Sequence, residues 1–198
     1  FDRVGSNGIT ALSNGNYVVV SSNWGASDEA TDAGAVTFGN GSNGVRGVVS
    51  ASNSLLGSRA NDLVGGNGVV ALSNGNYVVV SASWDSSASG INVGAVTWGS
   101  GTTGVSGVVS AGNSLVGSRN FDSAGIRGVT ALNNGNYVVS TSTWDNGTVA
   151  ADVGAVTWGS GISGVSGTIS ASNSLIGSSA NDRVGDNDSS GRSPITAL

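Results

Sequence analysis

Apolar residues in this chain come in short bursts separated by glycine, serine and asparagine, and the bursts return every 60 residues. The stretch Ala11-Leu-Ser-Asn-Gly-Asn-Tyr-Val-Val-Val20 recurs unchanged at 71–80 and with two substitutions at 131–140. Asn14-Gly15 lies between the apolar pair Ala11-Leu12 and the apolar run from Tyr17 to Val20. That arrangement predicts a hairpin with a two-residue type I′ turn, because glycine adopts positive φ freely and asparagine tolerates it. Asn74-Gly75 and Asn134-Gly135 repeat the device.

Each copy reads as four strands. The first, residues 8–12, is short and expected to be buried. The second, residues 16–24, is apolar at consecutive positions from Tyr17 to Val20, which fits a strand covered on both faces. Residues 25–33 form a loop, and it is the segment that differs most from its counterparts at 85–93 and 145–153. The third strand, residues 34–38, ends on a bulky aromatic, Phe38, matched by Trp98 and Trp158. After a turn at residues 39–44, residues 45–51 alternate Val45, Gly47, Val49 against Arg46, Val48, Ser50, the pattern of an outer strand with one wet face. Residues 53–57 and 61–65 read as connectors, with Leu55 and Leu56 plugging apolar gaps and Asp62 capping a turn.

The copies occupy residues 1–60, 61–120 and 121–180, and a fourth begins at 181–198 with a short insertion. Four strands per 60 residues in up-and-down order predict an all-β chain of tandem four-stranded blades, a β-propeller-like array. A β-solenoid is the alternative. A propeller closes with about four to eight blades. Three copies and a start do not close a ring, so the expectation is a window on a longer array, or copies that associate blade to blade.

Composition refines this picture. The 34 glycines would suit a flexible linker, but the chain is also 38% hydrophobic, with those residues at fixed repeat positions, which argues for an ordered core. No Cys, His, Met or Lys occurs. That inventory leaves no Ser-His-Asp triad, no cysteine nucleophile and no conventional zinc site, so neither an enzyme nor a cofactor is expected. A net charge of −5 with scattered arginines lacks the basic patch that nucleic acid requires. No apolar run reaches the roughly 18 residues of a membrane span. With neither a signal peptide nor an initiator methionine, residue 1 reads as an internal point of a longer precursor.

Trp24, Trp84 and Trp144 stand where the second strand enters the variable loop, two of them followed by Asp85 and Asp145. An aromatic beside polar loop residues can hold a sugar face, which makes Trp24, Trp84, Asp85, Trp144 and Asp145 candidate ligand contacts. The competing reading packs each indole between blades as core. Trp98 and Trp158, within strands, are expected to be core. Asp28, Glu29 and Asp32 cluster in the first copy only and read as a solvated acidic loop, whereas Asp2, Asp62, Asp122 and Asp182 recur at the repeat offset and read as turn-fixing. The glycines of residues 39–44 lack the lysine and following helix of a phosphate cradle.

The motif order of residues 61–65 (Asn-Asp-Leu-Val-Gly), 68–81, 94–98 (Gly-Ala-Val-Thr-Trp) and 115–118 (Leu-Val-Gly-Ser) resembles the FG-GAP repeat of integrin-type β-propellers. It is more closely similar to repeats of very large secreted bacterial surface proteins of the filamentous haemagglutinin type. The first hairpin loop of FG-GAP repeats often carries an Asp-rich calcium site. Here that loop, Ser13-Asn-Gly-Asn16, has no carboxylate, so no calcium is expected at 13–16, 73–76 or 133–136. The resemblance implies an extracellular, bacterial cell-surface setting. Constant repeat length and the missing catalytic inventory point to a structural or adhesive segment, whose partners are further repeats or other copies of itself. The alternative is a lectin-like module that binds cell-surface glycans through loops 25–33, 85–93 and 145–153.

Overall fold

The computed structural model describes residues 2–148, 150–187 and 195–197, which form fourteen strands and no helix. The insertion expected in the fourth copy and Leu198 lie outside the described residues. The first repeat holds β1 (Ile9–Ala11), β2 (Tyr17–Ser21), β3 (Ala35–Gly39) and β4 (Ser54–Leu56). The second holds β5 (Val69–Ala71), β6 (Tyr77–Ser81), β7 (Ala95–Gly99), β8 (Gly107–Val108) and β9 (Leu115–Val116). The third holds β10 (Val129–Ala131), β11 (Tyr137–Thr141), β12 (Ala155–Gly159), β13 (Gly167–Thr168) and β14 (Ser174–Ile176).

The hairpins form where asparagine-glycine predicts them, with a longer loop than expected. Ala11 pairs with Tyr17, Leu12 N–H donates to Asn16 O, and Gly15 N–H returns to Leu12 O. Gly15 has φ +85° while Asn14 is not in the left-handed region. Three residues therefore span the turn, in the type I plus glycine-bulge form rather than type I′. The second strand stops at Ser21, three residues before Trp24, whose N–H turns back to Ser21 O.

The second strand of each repeat is the centre of the architecture. Successive side chains point to opposite faces, and both faces are apolar; in the middle sheet each face packs on a neighbouring sheet. Val18, Val20, Val36 and Leu55 of the first repeat share one core with Val64, Tyr77 and Val79 of the second. Val78, Val80, Val96 and Leu115 share the next with Tyr137 and Val139 of the third. The two larger cores thus lie between repeats, while a smaller one, Trp24, Ala35 and Leu56 with Val49, lies within the first. At the ends of the stack the same positions are less covered: Tyr17, Val19 and Val138 are half-buried, while Tyr77, Val79 and Val78 are fully buried.

The fourth strand departs from expectation. Residues 45–51 contain no strand, and the fourth position of each sheet is taken by the supposed connector, Ser54–Leu56, Leu115–Val116 or Ser174–Ile176. The alternating segment instead crosses to the preceding repeat. Gly107 pairs in parallel with Leu55, and Val109 N–H donates to Leu56 O at 3.0 Å. Gly167 pairs likewise with Leu115, and Ile169 N–H donates to Val116 O at 3.0 Å. The first two sheets gain a fifth strand this way. Among the described residues no preceding sheet stands beside residues 45–51, and Val48 is 85% exposed. The first strand also differs from expectation: β1 is not buried, and Ile9 is 68% exposed.

A backbone ladder fastens each linker to the loop before it. Asn61, Leu63 and Val64 donate to Thr31 O, Asp32 O and Ala33 O at 3.0–3.1 Å. The same ladder recurs at 121–124 and at 181–184. The start of the fourth copy therefore docks on the third repeat, where Arg127 Nε also meets Asp186 Oδ1 at 2.7 Å. The three sheets stack in series as an all-β array without closing into a barrel, an arrangement consistent with propeller-like or solenoid stacking.

Candidate functional site

The tryptophans proposed as sugar contacts face inward. Trp84 is 5% and Trp144 4% exposed, and each packs beneath the segment that crosses to the preceding repeat, against Val109 and Ile169 respectively. Trp24 is buried with Ala35, Leu56 and Val49. None of the three presents its ring to the loop surface: Trp84 and Trp144 belong to cores shared between repeats, and Trp24 packs within the first repeat alone. The indole Nε1 atoms of Trp84 and Trp144 are buried without a hydrogen-bond partner among the described residues. That arrangement is expensive for a donor and is sustained by the ring's apolar contacts. Of the strand aromatics, Trp98 is half-buried beneath the next repeat, whereas Trp158, expected to be core, is 55% exposed, with no further sheet over it among the described residues.

Asp85 and Asp145 organise the loops that contain them. Asp85 Oδ1 accepts Asn92 N–H at 2.7 Å, and Asp145 Oδ1 accepts Asp152 N–H at 2.8 Å, closing the variable loop. Their own N–H groups bond to Asp62 Oδ1 at 3.0 Å and Asp122 Oδ1 at 3.1 Å. Tryptophan and aspartate are thus neighbours in sequence that serve different ends, the indole core and the carboxylate a loop clasp. The sequence carried a signal for this role in the seven-residue spacing from Asp85 to Asn92 and from Asp145 to Asp152.

Asp62 and Asp122 are fully buried junction residues. Asp62 Oδ2 accepts Ser58 N–H and Arg59 N–H at 2.8 and 2.9 Å while Oδ1 holds Asp85 of the next loop. Asp122 repeats this with Ser118, Arg119 and Asp145, adding the Ser118 hydroxyl at 2.8 Å. Burial pushes both carboxyls above the usual aspartate range, opposed by the N–H donors. In the exposed Asp182, the N–H groups of Ser179 and Ser178 win and hold the carboxyl below that range.

Two polar recesses open beside the variable loops. One, of about 570 Å³, is lined by Asp2, Arg3, Asn23, Ser27, Asp28 and Asp32. The other, of about 310 Å³, lies between Ser89, Arg119, Asn120 and Asp145. Among the described residues, no group of three or more Asp or Glu side chains is placed to hold a metal ion. The loops at 13–16 and 73–76 are closed by their own groups, with Asn14 Oδ1 accepting Asn16 N–H and Asn74 Oδ1 accepting Asn76 N–H, each at 3.1 Å. Among the described residues, no helix is long and apolar enough to cross a membrane.

No curated protein and no solved structure matches the chain. A repeat family does, in three copies at residues 11–66, 71–126 and 131–186, so the matched unit recurs at the 60-residue offset of the sheets. The chain belongs to this family, described as a repeat of unknown function (DUF5650).

Proposed function

We propose that this chain is a non-enzymatic structural and adhesive segment of a large secreted bacterial surface or matrix protein, of the kind built from FG-GAP-like repeats. The observation that carries the reading is where the core sits. Because Val18 and Val20 bury against the sheet of the next repeat, each repeat completes its fold only by stacking, and the architecture extends by adding copies. Constant repeat length keeps the junctions in one register, as a load-spreading scaffold requires.

A lectin-like role is the second reading, favoured by one feature, the polar recess of about 570 Å³ beside loop 25–33. Its contacts would be Asn23, Asp28 and Asp32, not the buried indole of Trp24. Two measurements separate the readings. Antibodies raised against the repeats should label intact producing cells or their matrix, and a glycan array should stay silent. Labelling only after lysis would overturn the surface setting. Selective glycan binding, lost in Asp28→Ala with Asp32→Ala, would establish the lectin reading instead.

A further inference from the structure

The recess between Ser89, Arg119, Asn120 and Asp145 lies at the junction of the second and third repeats, in the interior of the stack. Several residues there depart from the other copies. Ser89 stands where the first copy has Glu29, and Ile91 where the others have Thr31 and Ala151. Asn120 and Phe121 replace Ala60 and Asn61, and again Ala180 and Asn181.

The departures are coupled to one another. Gly90 replaces Ala30 and Ala150, and a Cβ at Gly90 would land on Asn120 Oδ1. That oxygen accepts Ile91 N–H at 3.0 Å, which fixes the amide and leaves Asn120 Nδ2 with no acceptor among the described residues. Phe121 N–H in turn donates to Ile91 O at 3.0 Å, so Ile91 is held between the two linker residues. Both apolar side chains meet water, Phe121 at 58% and Ile91 at 46% exposure. Phe121 does so at φ +66°, and strain of this kind gathers at ligand sites.

The recess also holds a cation and an anion that do not pair. Among the described residues the ion pairs involve Arg127 and Arg183, not Arg119. Asp145 Oδ1 is taken by Asp152 N–H at 2.8 Å, and Oδ2 accepts no hydrogen bond among the described residues. A simple anion is attracted by Arg119 and repelled by Asp145, and a simple amine the reverse. A ligand bearing both charges satisfies both. At about 310 Å³ the recess stands at the lower end of the ~300–1,000 Å³ range of small-ligand sites, which suits one small molecule.

We propose that this recess binds a free α-amino acid with an apolar side chain, its carboxylate on Arg119 and Asn120 Nδ2, its ammonium on Asp145 Oδ2 and Ser89 Oγ, and its side chain against Ile91 and Phe121. The first junction lacks the site because Glu29 adds a second acid and Ala60 supplies no amide. This goes beyond the scaffold reading and does not rest on it, since a free amino acid at one junction leaves the stacking of repeats unchanged.

L-Leucine is titrated into the full chain and followed by calorimetry and by amide NMR shifts. Saturable binding is expected, with the signals of Ile91 and Phe121 among those that move. Leucinamide, N-acetyl-leucine and glycine, which lack the carboxylate, the ammonium and the side chain in turn, should bind roughly tenfold more weakly or less. Arg119→Ala and Asp145→Asn should each weaken leucine binding by roughly tenfold, whereas Arg59→Ala at the first junction should leave it unchanged. Phe121→Asn relieves the strained φ, so a loss of roughly fivefold in a chain at least as stable as the parent reports the ring and not the fold. Gly90→Ala with Asn120→Ala restores the first copy's pair and should abolish binding. No saturable binding of leucine by the parent would overturn the proposal. So would leucinamide or N-acetyl-leucine binding as tightly as leucine, binding that survives Arg119→Ala, or D-glucose binding as tightly as leucine, the sign of a sugar site.

Discussion

Trp98 of the second repeat donates its indole Nε1 to the backbone carbonyl of Gly161 in the third, 3.1 Å away across the boundary between sheets. The same ring lies beneath Gly164, where only a glycine leaves room for it. Trp158 occupies the equivalent place one repeat later and has no sheet above it among the described residues. The contrast separates the value of a tryptophan in this strand from the value of the junction it makes. Trp98→Ala should destabilise the chain by about 3 kcal/mol, from lost burial and a lost hydrogen bond. Trp158→Ala, in dilute protein, should fall within about 0.5 kcal/mol of the parent. Denaturant midpoints of the two variants check this, and equal losses would contradict it.

Asp62 joins the end of one repeat to the variable loop of the next through three backbone N–H groups. Asp62→Ala leaves those donors without their acceptor in a buried site and should cost about 3 kcal/mol. Asp122→Ala should behave alike. Asp182→Ala, in the exposed copy, should cost less than either. Thermal or urea unfolding of the three variants tests the ranking.

Burial pushes the hydroxyls of Tyr77 and Tyr137 from 10.0 up to about 12, each opposed by one backbone donor, Val105 or Val165 N–H at 3.2 Å. A folded-state value above the unfolded one means that the folded chain holds the proton more tightly. The resulting stability is fully present below pH 10 and is lost as pH rises from there to about 12. The two residues together should give up roughly 4 kcal/mol over that window, less than the limiting slope of about 1.4 kcal/mol per pH unit for each group would give, because titration is only partial at both ends of it. Melting temperatures measured across it should fall steeply in the parent and more shallowly in Tyr77→Phe with Tyr137→Phe.

Phe121 has φ +66°, the left-handed conformation that Asn61 and Asn181 hold in the neighbouring copies, and its ring is exposed. A bulky side chain there carries strain that asparagine tolerates. Phe121→Asn should stabilise the chain by roughly 1 kcal/mol, seen as a raised denaturant midpoint. A loss of stability would show that the ring makes a contact worth more than the strain.

The sequence by itself determined the all-β class, the 60-residue period and the hairpin positions, because these depend on local chemistry: asparagine-glycine at a turn, valine runs in strands, glycine between them. It also marked Asp62 and Asp122 as turn-fixing from their recurrence alone. Apolar residues at consecutive positions showed that the second strand is covered on both sides, but not by what.

Only the tertiary structure decided which strand pairs with which. Residues 45–51 and 105–111 have similar alternating patterns, yet β8 forms at Gly107–Val108 and no strand forms in the first copy, because the partner edge belongs to the preceding repeat. Alternation reports that one face is wet; it does not report whose edge supplies the hydrogen bonds. For the same reason the sequence could not tell Trp98 from Trp158, or Leu115 from Leu175. Their local sequences are nearly the same, and their burial is set by whether another repeat stands above them.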